Sequence, residues 1–111
     1  MIIDDGGHFM NQQILTFKQI FSSINDNGVY LCEDTHSSYS FNPKYKSKLN
    51  NPKSYIEYMK KLIDHLHFYY IDEPPFSNYY RSNIYSINFY DSIVVVNIKK
   101  NQQKPRSIKK L

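Results

Sequence analysis

The chain lacks the residues that would commit it to several common architectures. Its single cysteine, Cys32, rules out an internal disulfide and points to a reducing compartment. Tryptophan is absent, and Gly6, Gly7 and Gly28 are the only glycines, so no G-x-G-x-x-G phosphate loop is encoded. The longest unbroken aliphatic run is Ile93 to Val96, far short of the roughly 20 residues a membrane helix needs. The opening Met1-Ile2-Ile3-Asp4-Asp5 places acids where a signal peptide would carry basic residues. The expected location is therefore cytoplasmic, with no membrane partner.

At 111 residues, one small domain is the ceiling. Eleven tyrosines and seven phenylalanines bring aromatics to 16%, far too many for a disordered chain. The net charge of +4 is misleading, because it is concentrated at one end. Residues 99–111 hold six lysines and arginines and no acid, which leaves −2 for the other 98 residues. A basic tail on a slightly acidic body reads as a solvated, disordered segment after a domain at 1–98. Nucleic acid is not the expected partner, since no nucleic-acid-binding signature accompanies the aromatics.

The periodicities fall in a readable order. Ile2-Ile3 looks like the end of a strand. Ile14, Phe17, Phe21 and Ile24 recur at helical spacing over residues 11–24. Asn25-Asp26-Asn27-Gly28 then turns the chain. Val29-Tyr30-Leu31-Cys32 reads as a buried strand ending in Glu33-Asp34. Residues 35–50 form a loop. Asn51-Pro52 is expected to start a helix, carried by Ile56, Met59, Leu62, Ile63 and Leu66 to about Tyr70 and stopped by Pro74-Pro75. Residues 84–90 and 92–98 are β-rich and meet at Asp91-Ser92, too short a gap for a crossover, so an antiparallel hairpin is expected. The class is α/β: two parallel strands, an antiparallel terminal hairpin and helices packed on the sheet.

In open sheets of this kind, ligands sit beyond the carboxyl ends of the strands, and both acid clusters fall there. Asp4-Asp5-Gly6-Gly7-His8 leaves the first strand; Glu33-Asp34 leaves the second. Carboxylates converging at one edge repel each other, and a hard divalent cation such as Mg²⁺ removes that repulsion. His8, three residues after Asp5, is placed to accept a proton from a hydroxyl whose pKa a metal has lowered. Spacing alone leaves simpler readings open: a carboxylate pair after a strand also serves as a turn or helix cap. Cys32 reads as a core residue, and His36, His65 and His67 as surface or helix residues. The tyrosine-rich loops could cover a substrate or simply pack.

Ile-Ile-Asp-Asp-Gly-Gly-His, a helix, and then Gly-Val-Tyr-Leu-Cys-Glu-Asp-Thr-His-Ser-Ser-Tyr together resemble the second half of class I S-adenosylmethionine-dependent methyltransferases. The group they resemble is the macrocin- and mycinamicin-type sugar O-methyltransferases. Ile-Tyr-Ser-Ile-Asn-Phe-Tyr-Asp-Ser-Ile-Val-Val-Val resembles that family's closing hairpin, so the resemblance spans residues 2–98. It implies the carboxyl-terminal half of a Rossmann-like sheet, in the order 1–4, 29–32, 92–98, 84–90. It also implies Asp5, Glu33 and Asp34 as Mg²⁺ ligands, His8 as general base, S-adenosylmethionine as methyl donor, and a sugar or other vicinal diol as acceptor. The family's glycine-rich cofactor loop and ribose-binding acid have no counterpart here. The resemblance thus implies a metal-and-base portion whose cofactor half lies elsewhere, on a missing amino-terminal segment or in a homo-oligomer. A non-catalytic remnant or binding module of the same ancestry is the alternative.

Overall fold

The computed structural model describes residues 1–7, 9–67, 80 and 83–102. Among these residues, seven strands and α-helices follow one another: β1 (Ile2–Asp4), α1 (Met10–Ile20), β2 (Val29–Cys32), α2 (Tyr55–Lys61), α3 (Ile63–Leu66), β3 (Ile84–Tyr90) and β4 (Ile93–Ile98). The four strands form one mixed sheet in the order β1-β2-β4-β3, the order the resemblance implied. β1 and β2 are parallel, with Asp4 opposite Cys32. β4 runs antiparallel to both neighbours, with Tyr30 opposite Val96 and Cys32 opposite Val94, and Phe89 opposite Val94. A hairpin puts its second strand inside the sheet because the Val-Val-Val of β4 can be covered, whereas β3 exposes Tyr85, Phe89 and Tyr90 at the outer edge.

Strand alternation decides which side is core. Tyr30, Cys32, Val94, Val96 and Ile98 are buried while Leu31, Val95 and Asn97 are only partly covered, the period of two that a half-covered sheet produces. Phe17 of α1 is fully buried on that face. Its ring centroid lies 5.2 Å from Tyr30, 5.3 Å from Phe21 and 5.8 Å from Tyr80. Burying one such side chain contributes about 2–3 kcal/mol, and its ring contacts add to that.

The helix boundaries differ from the sequence reading. The expected helix over 11–24 runs Met10–Ile20 and tightens to a 3₁₀ turn over Phe21–Ser23. Asn27, at φ 61°, takes the left-handed position of the following turn. Gly28 is needed for room instead: a Cβ there would lie 2.6 Å from the Asn25 carbonyl oxygen. The second helix starts at Tyr55, not at Asn51-Pro52. Ser54 caps it by accepting from the Glu57 amide at 3.1 Å, a Ser-x-x-Glu arrangement worth about 1 kcal/mol. Asn51 is spent on the turn before it, accepting from the Lys53 amide at 3.1 Å and donating to Ser47 at 2.9 Å. The helix breaks at Leu62, whose amide bonds back to Met59, but Ile56, Met59, Leu62 and His65 still bury as one stripe. The expected end near Tyr70 and Pro74-Pro75 lie outside the described residues.

Residues after β4 are tied to the body as far as Gln102. The Lys100 amide donates to Asp26 at 2.8 Å, the Asn101 amide to Asn83 at 3.1 Å, and the Gln102 side chain to the Ile84 carbonyl at 2.9 Å. The rest of the basic segment, 103–111, lies outside the described residues. Among the described residues, no helix is long and apolar enough to cross a membrane.

Candidate active site at the carboxyl edge of the sheet

β1 and β2 end side by side. The Glu33 amide donates to the Asp4 carbonyl at 3.0 Å, adding one more rung after β2 has ended, so the two acidic junctions leave the sheet together. The adjacent acids Asp4 and Asp5 then part. Asp4 turns into the body, where its carboxylate accepts from the Tyr30 hydroxyl at 2.6 Å and from the Gly6 amide at 3.2 Å. The Cys32 sulfur lies 4.0 Å from it. That register, with Asp4 opposite Cys32, assigns Asp4 to the structure and leaves Asp5 exposed.

Asp5 meets Glu33. The contact of the two carboxyl groups, followed by the charge of Asp5, partial dehydration and the charge of Asp34, raises Glu33 above the usual carboxylate range. Negative charge is thereby concentrated at this edge. Asp34 contributes to that field from the next position. Its backbone is left-handed, at φ 56° and ψ 36°, a conformation that costs an L-residue about 1 kcal/mol or more. Among the described residues, no three His, Cys, Asp or Glu side chains form a group placed to hold a metal. The structure thus brings Asp5 and Glu33 together, with Asp34 beside them rather than in a closed triad. His8 lies outside the described residues.

Two further residues shape this edge. Gln13 of α1 is buried, and its side-chain amide donates to the Glu33 carbonyl at 3.4 Å and the Asp34 carbonyl at 3.3 Å. His36, exposed, has its Nδ1 2.7 Å from the Ser92 hydroxyl, and the Thr35 amide donates to the Ser92 carbonyl at 3.1 Å. The start of β4 is thereby tied to the loop after β2. The one sequence signal for Gln13 was a polar residue on the apolar stripe of Phe17, Phe21 and Ile24; nothing in the sequence signalled the His36–Ser92 contact.

Beneath the edge, the interior is kept neutral. Cys32 is pushed up to about 12 by burial and then by the Asp4 charge, so it is an inert core thiol. Tyr30 is raised by burial and by its bond to Asp4. Tyr55 is raised by burial, and its hydroxyl lies beside the Cys32 thiol without a nitrogen or oxygen partner. His65 is also core, edge-on to Tyr80 at 5.7 Å. A groove of about 490 Å³ lined by Asn27, Gly28, Tyr85, Ser86, Asn97, Ile98 and Lys99 lies at the opposite end of the sheet, where β2 begins.

The mixed sheet and its helices are shared with a methyltransferase of known structure. The chain has the fold of part of MycE methyltransferase of the mycinamycin biosynthetic pathway, solved with Mg and SAH. The TM-score is 0.77 at 24% identity over 96% of this chain and 29% of that one. A further MycE structure, which also contains mycinamycin VI, matches with a TM-score of 0.74 at 23% identity over 91% of this chain and 26% of that one.

The relatives by sequence are two enzymes of Streptomyces olivaceus. One is 8-demethyl-8-alpha-L-rhamnosyl tetracenomycin-C 2'-O-methyltransferase, 30% identical over 69 residues, covering 60% of this chain and 18% of the relative. The other is 8-demethyl-8-(2-methoxy-alpha-L-rhamnosyl)-tetracenomycin-C 3'-O-methyltransferase, 24% identical over 108 residues, covering 93% of this chain and 27% of the relative. No protein-family model matches. The resemblance to the macrocin- and mycinamicin-type sugar O-methyltransferases is therefore borne out in sequence and in fold. The chain spans between 18% and 29% of the length of these proteins.

Proposed function

We infer that this chain is the metal-holding and acceptor-activating portion of a Mg²⁺-dependent, S-adenosylmethionine-dependent O-methyltransferase acting on a sugar hydroxyl. The observation that carries the reading is the meeting of Asp5 and Glu33 where the parallel strands β1 and β2 end side by side, at the carboxyl edge of the sheet. The residues fit the ion. Mg²⁺ takes oxygen ligands, keeps several waters, and is commonly held by only one or two carboxylates, so the pair suffices and Asp34 would join it. When bound, the ion supplies positive charge that lowers the pKa of an acceptor hydroxyl.

The chain's own residues do the rest. Asp5 and Glu33 would hold the ion. His8, three residues past Asp5, is the candidate base that takes the acceptor's proton. The Asp4–Tyr30 bond fixes the end of β1, and with it the place of Asp5. The donor methyl group of S-adenosylmethionine needs a glycine-rich turn and a ribose-binding acid that these residues do not contain. We assign both to a segment outside these residues, an amino-terminal half. A cytoplasmic location is part of the same proposal.

The second reading, a non-catalytic module of methyltransferase ancestry, is favoured by the open triad and by the missing cofactor loop. Titration of the chain with Mn²⁺, followed by electron paramagnetic resonance, separates the two when paired with methyl transfer to a rhamnoside by the chain joined to the cofactor-binding half of a related methyltransferase. Binding that Asp5→Asn abolishes, with chelator-sensitive methyl transfer by the joined protein, supports the enzyme. Binding without transfer by the joined protein supports the module. No binding by the wild type overturns the metal role.

A further inference from the structure

A buried glutamine on an apolar helix stripe is costly to keep. Gln13 is 1% exposed, one turn before Phe17, and its Oε1 is buried without a hydrogen-bond partner. A methionine would fill the same space and bury no unsatisfied oxygen. The gain that offsets this cost lies on the other half of the amide. Nε2 donates to two consecutive carbonyls, those of Glu33 and Asp34.

Consecutive carbonyls point to opposite sides in extended backbone. They face the same side only when the residue between them is helical in either hand, and Asp34 is left-handed at φ 56°. One amide can therefore reach both carbonyls in the left-handed conformation observed and not in an extended one. The geometry points to Gln13 as the positioning residue for the carboxylate pair, an inference that rests on the metal-holding reading above. Gln13 holds Asp34 in its left-handed turn. The rung from the Glu33 amide to Asp4 anchors the other side. Between them they fix where Glu33 leaves the backbone relative to Asp5, and where Asp34 stands beside the pair. Gln13 has no part in the chemistry itself.

Two variants test this on the full chain. Gln13→Glu keeps the shape, but an ionised carboxylate cannot donate to either carbonyl; Gln13→Met keeps the volume and drops both polar atoms. Mn²⁺ affinity is read by electron paramagnetic resonance, and amide exchange at Thr35, which bonds to Ser92, by nuclear magnetic resonance. Both variants should bind Mn²⁺ about tenfold or more weakly, as loss of an outer-shell partner does. Thr35 exchange should quicken about tenfold, with far-ultraviolet circular dichroism unchanged. Wild-type affinity and wild-type Thr35 exchange in both variants, whatever the melting temperature does, would leave Gln13 as packing and overturn the inference. If the unaltered chain binds no Mn²⁺, the metal reading falls by itself. Thr35 exchange then still decides whether Gln13 holds the turn.

Discussion

Alkali should unfold this protein through its own interior. Tyr30, Tyr55 and Cys32 are fully shielded from solvent, and burial raises all three above their ordinary values, 10.0 for the phenols and 9.0 for the thiol. An unfolded chain would ionise them at those ordinary values. The folded state favours the neutral forms, so their contribution is complete below about pH 9 and drains away as pH rises toward 12 and beyond. At about pH 11 the unfolded thiol lies roughly two units past its ordinary value, about 2.7 kcal/mol, and each unfolded tyrosine one unit past, about 1.4 kcal/mol. Together the three withdraw at most about 5.5 kcal/mol, against a total of roughly 5–15 kcal/mol for a domain of this kind. The urea midpoint should therefore fall steadily above about pH 9, with cooperative unfolding near or somewhat above pH 11. Tyrosinate absorbance and far-ultraviolet ellipticity, followed in one alkaline titration, check this. The buried hydroxyls should ionise in the same step that destroys the ellipticity. Full tyrosinate absorbance while ellipticity stays native would refute the reasoning, since it would mean that these hydroxyls reach solvent in the folded state.

Three other outcomes are expected. Phe17→Ala removes the ring at the centre of the aromatic cluster and should cost about 4 kcal/mol, measured as a lowered urea midpoint at unchanged slope. Asp34→Gly relieves a left-handed L-residue and should gain about 0.5 kcal/mol of stability while weakening Mn²⁺ binding; a loss of stability would show that the Asp34 side chain does more for the fold than its backbone costs. A chain ended after Ile98 should melt several degrees lower than one ended after Gln102, because the hydrogen bonds to Asp26, Asn83 and Ile84 go with it; equal melting temperatures would show that they contribute nothing.

The parts of the fold legible in the sequence were those whose period is set by burial alone. β2 and β4 are short aliphatic runs bounded by polar turns, and the two-residue gap at Asp91-Ser92 left only a hairpin. Boundaries set by competition between local hydrogen bonds were not legible. Asn51-Pro52 has good helix-start chemistry, yet Ser54 with Glu57 has better, and the chain uses Asn51 for a turn. At the candidate site, the convergence of the two acidic junctions followed from parallel strands. Which of two neighbouring acids faces inward did not, because register against β2 decides it, and that register put Asp4 against Tyr30 and Cys32. Gln13 was invisible for a related reason: a polar residue on an apolar stripe shows its purpose only when the carbonyls it serves are in place.

Among the described residues, β1 is held along one side only, by three residues paired with Tyr30, Leu31 and Cys32. It is the least paired strand of the sheet, and Asp5 follows it directly. Whenever that strand lifts by local opening, Asp5 leaves Glu33, so on the proposed metal-holding role closure of the strand and capture of a divalent ion would be one equilibrium. An ion seated between Asp5 and Glu33 would act as a rivet, adding about 1.4 kcal/mol of closure for each tenfold rise in its concentration above the dissociation constant. Hydrogen exchange at Ile3 and Asp4 would then slow in proportion to the ion supplied, making the first strand a gauge of the free divalent ion around it.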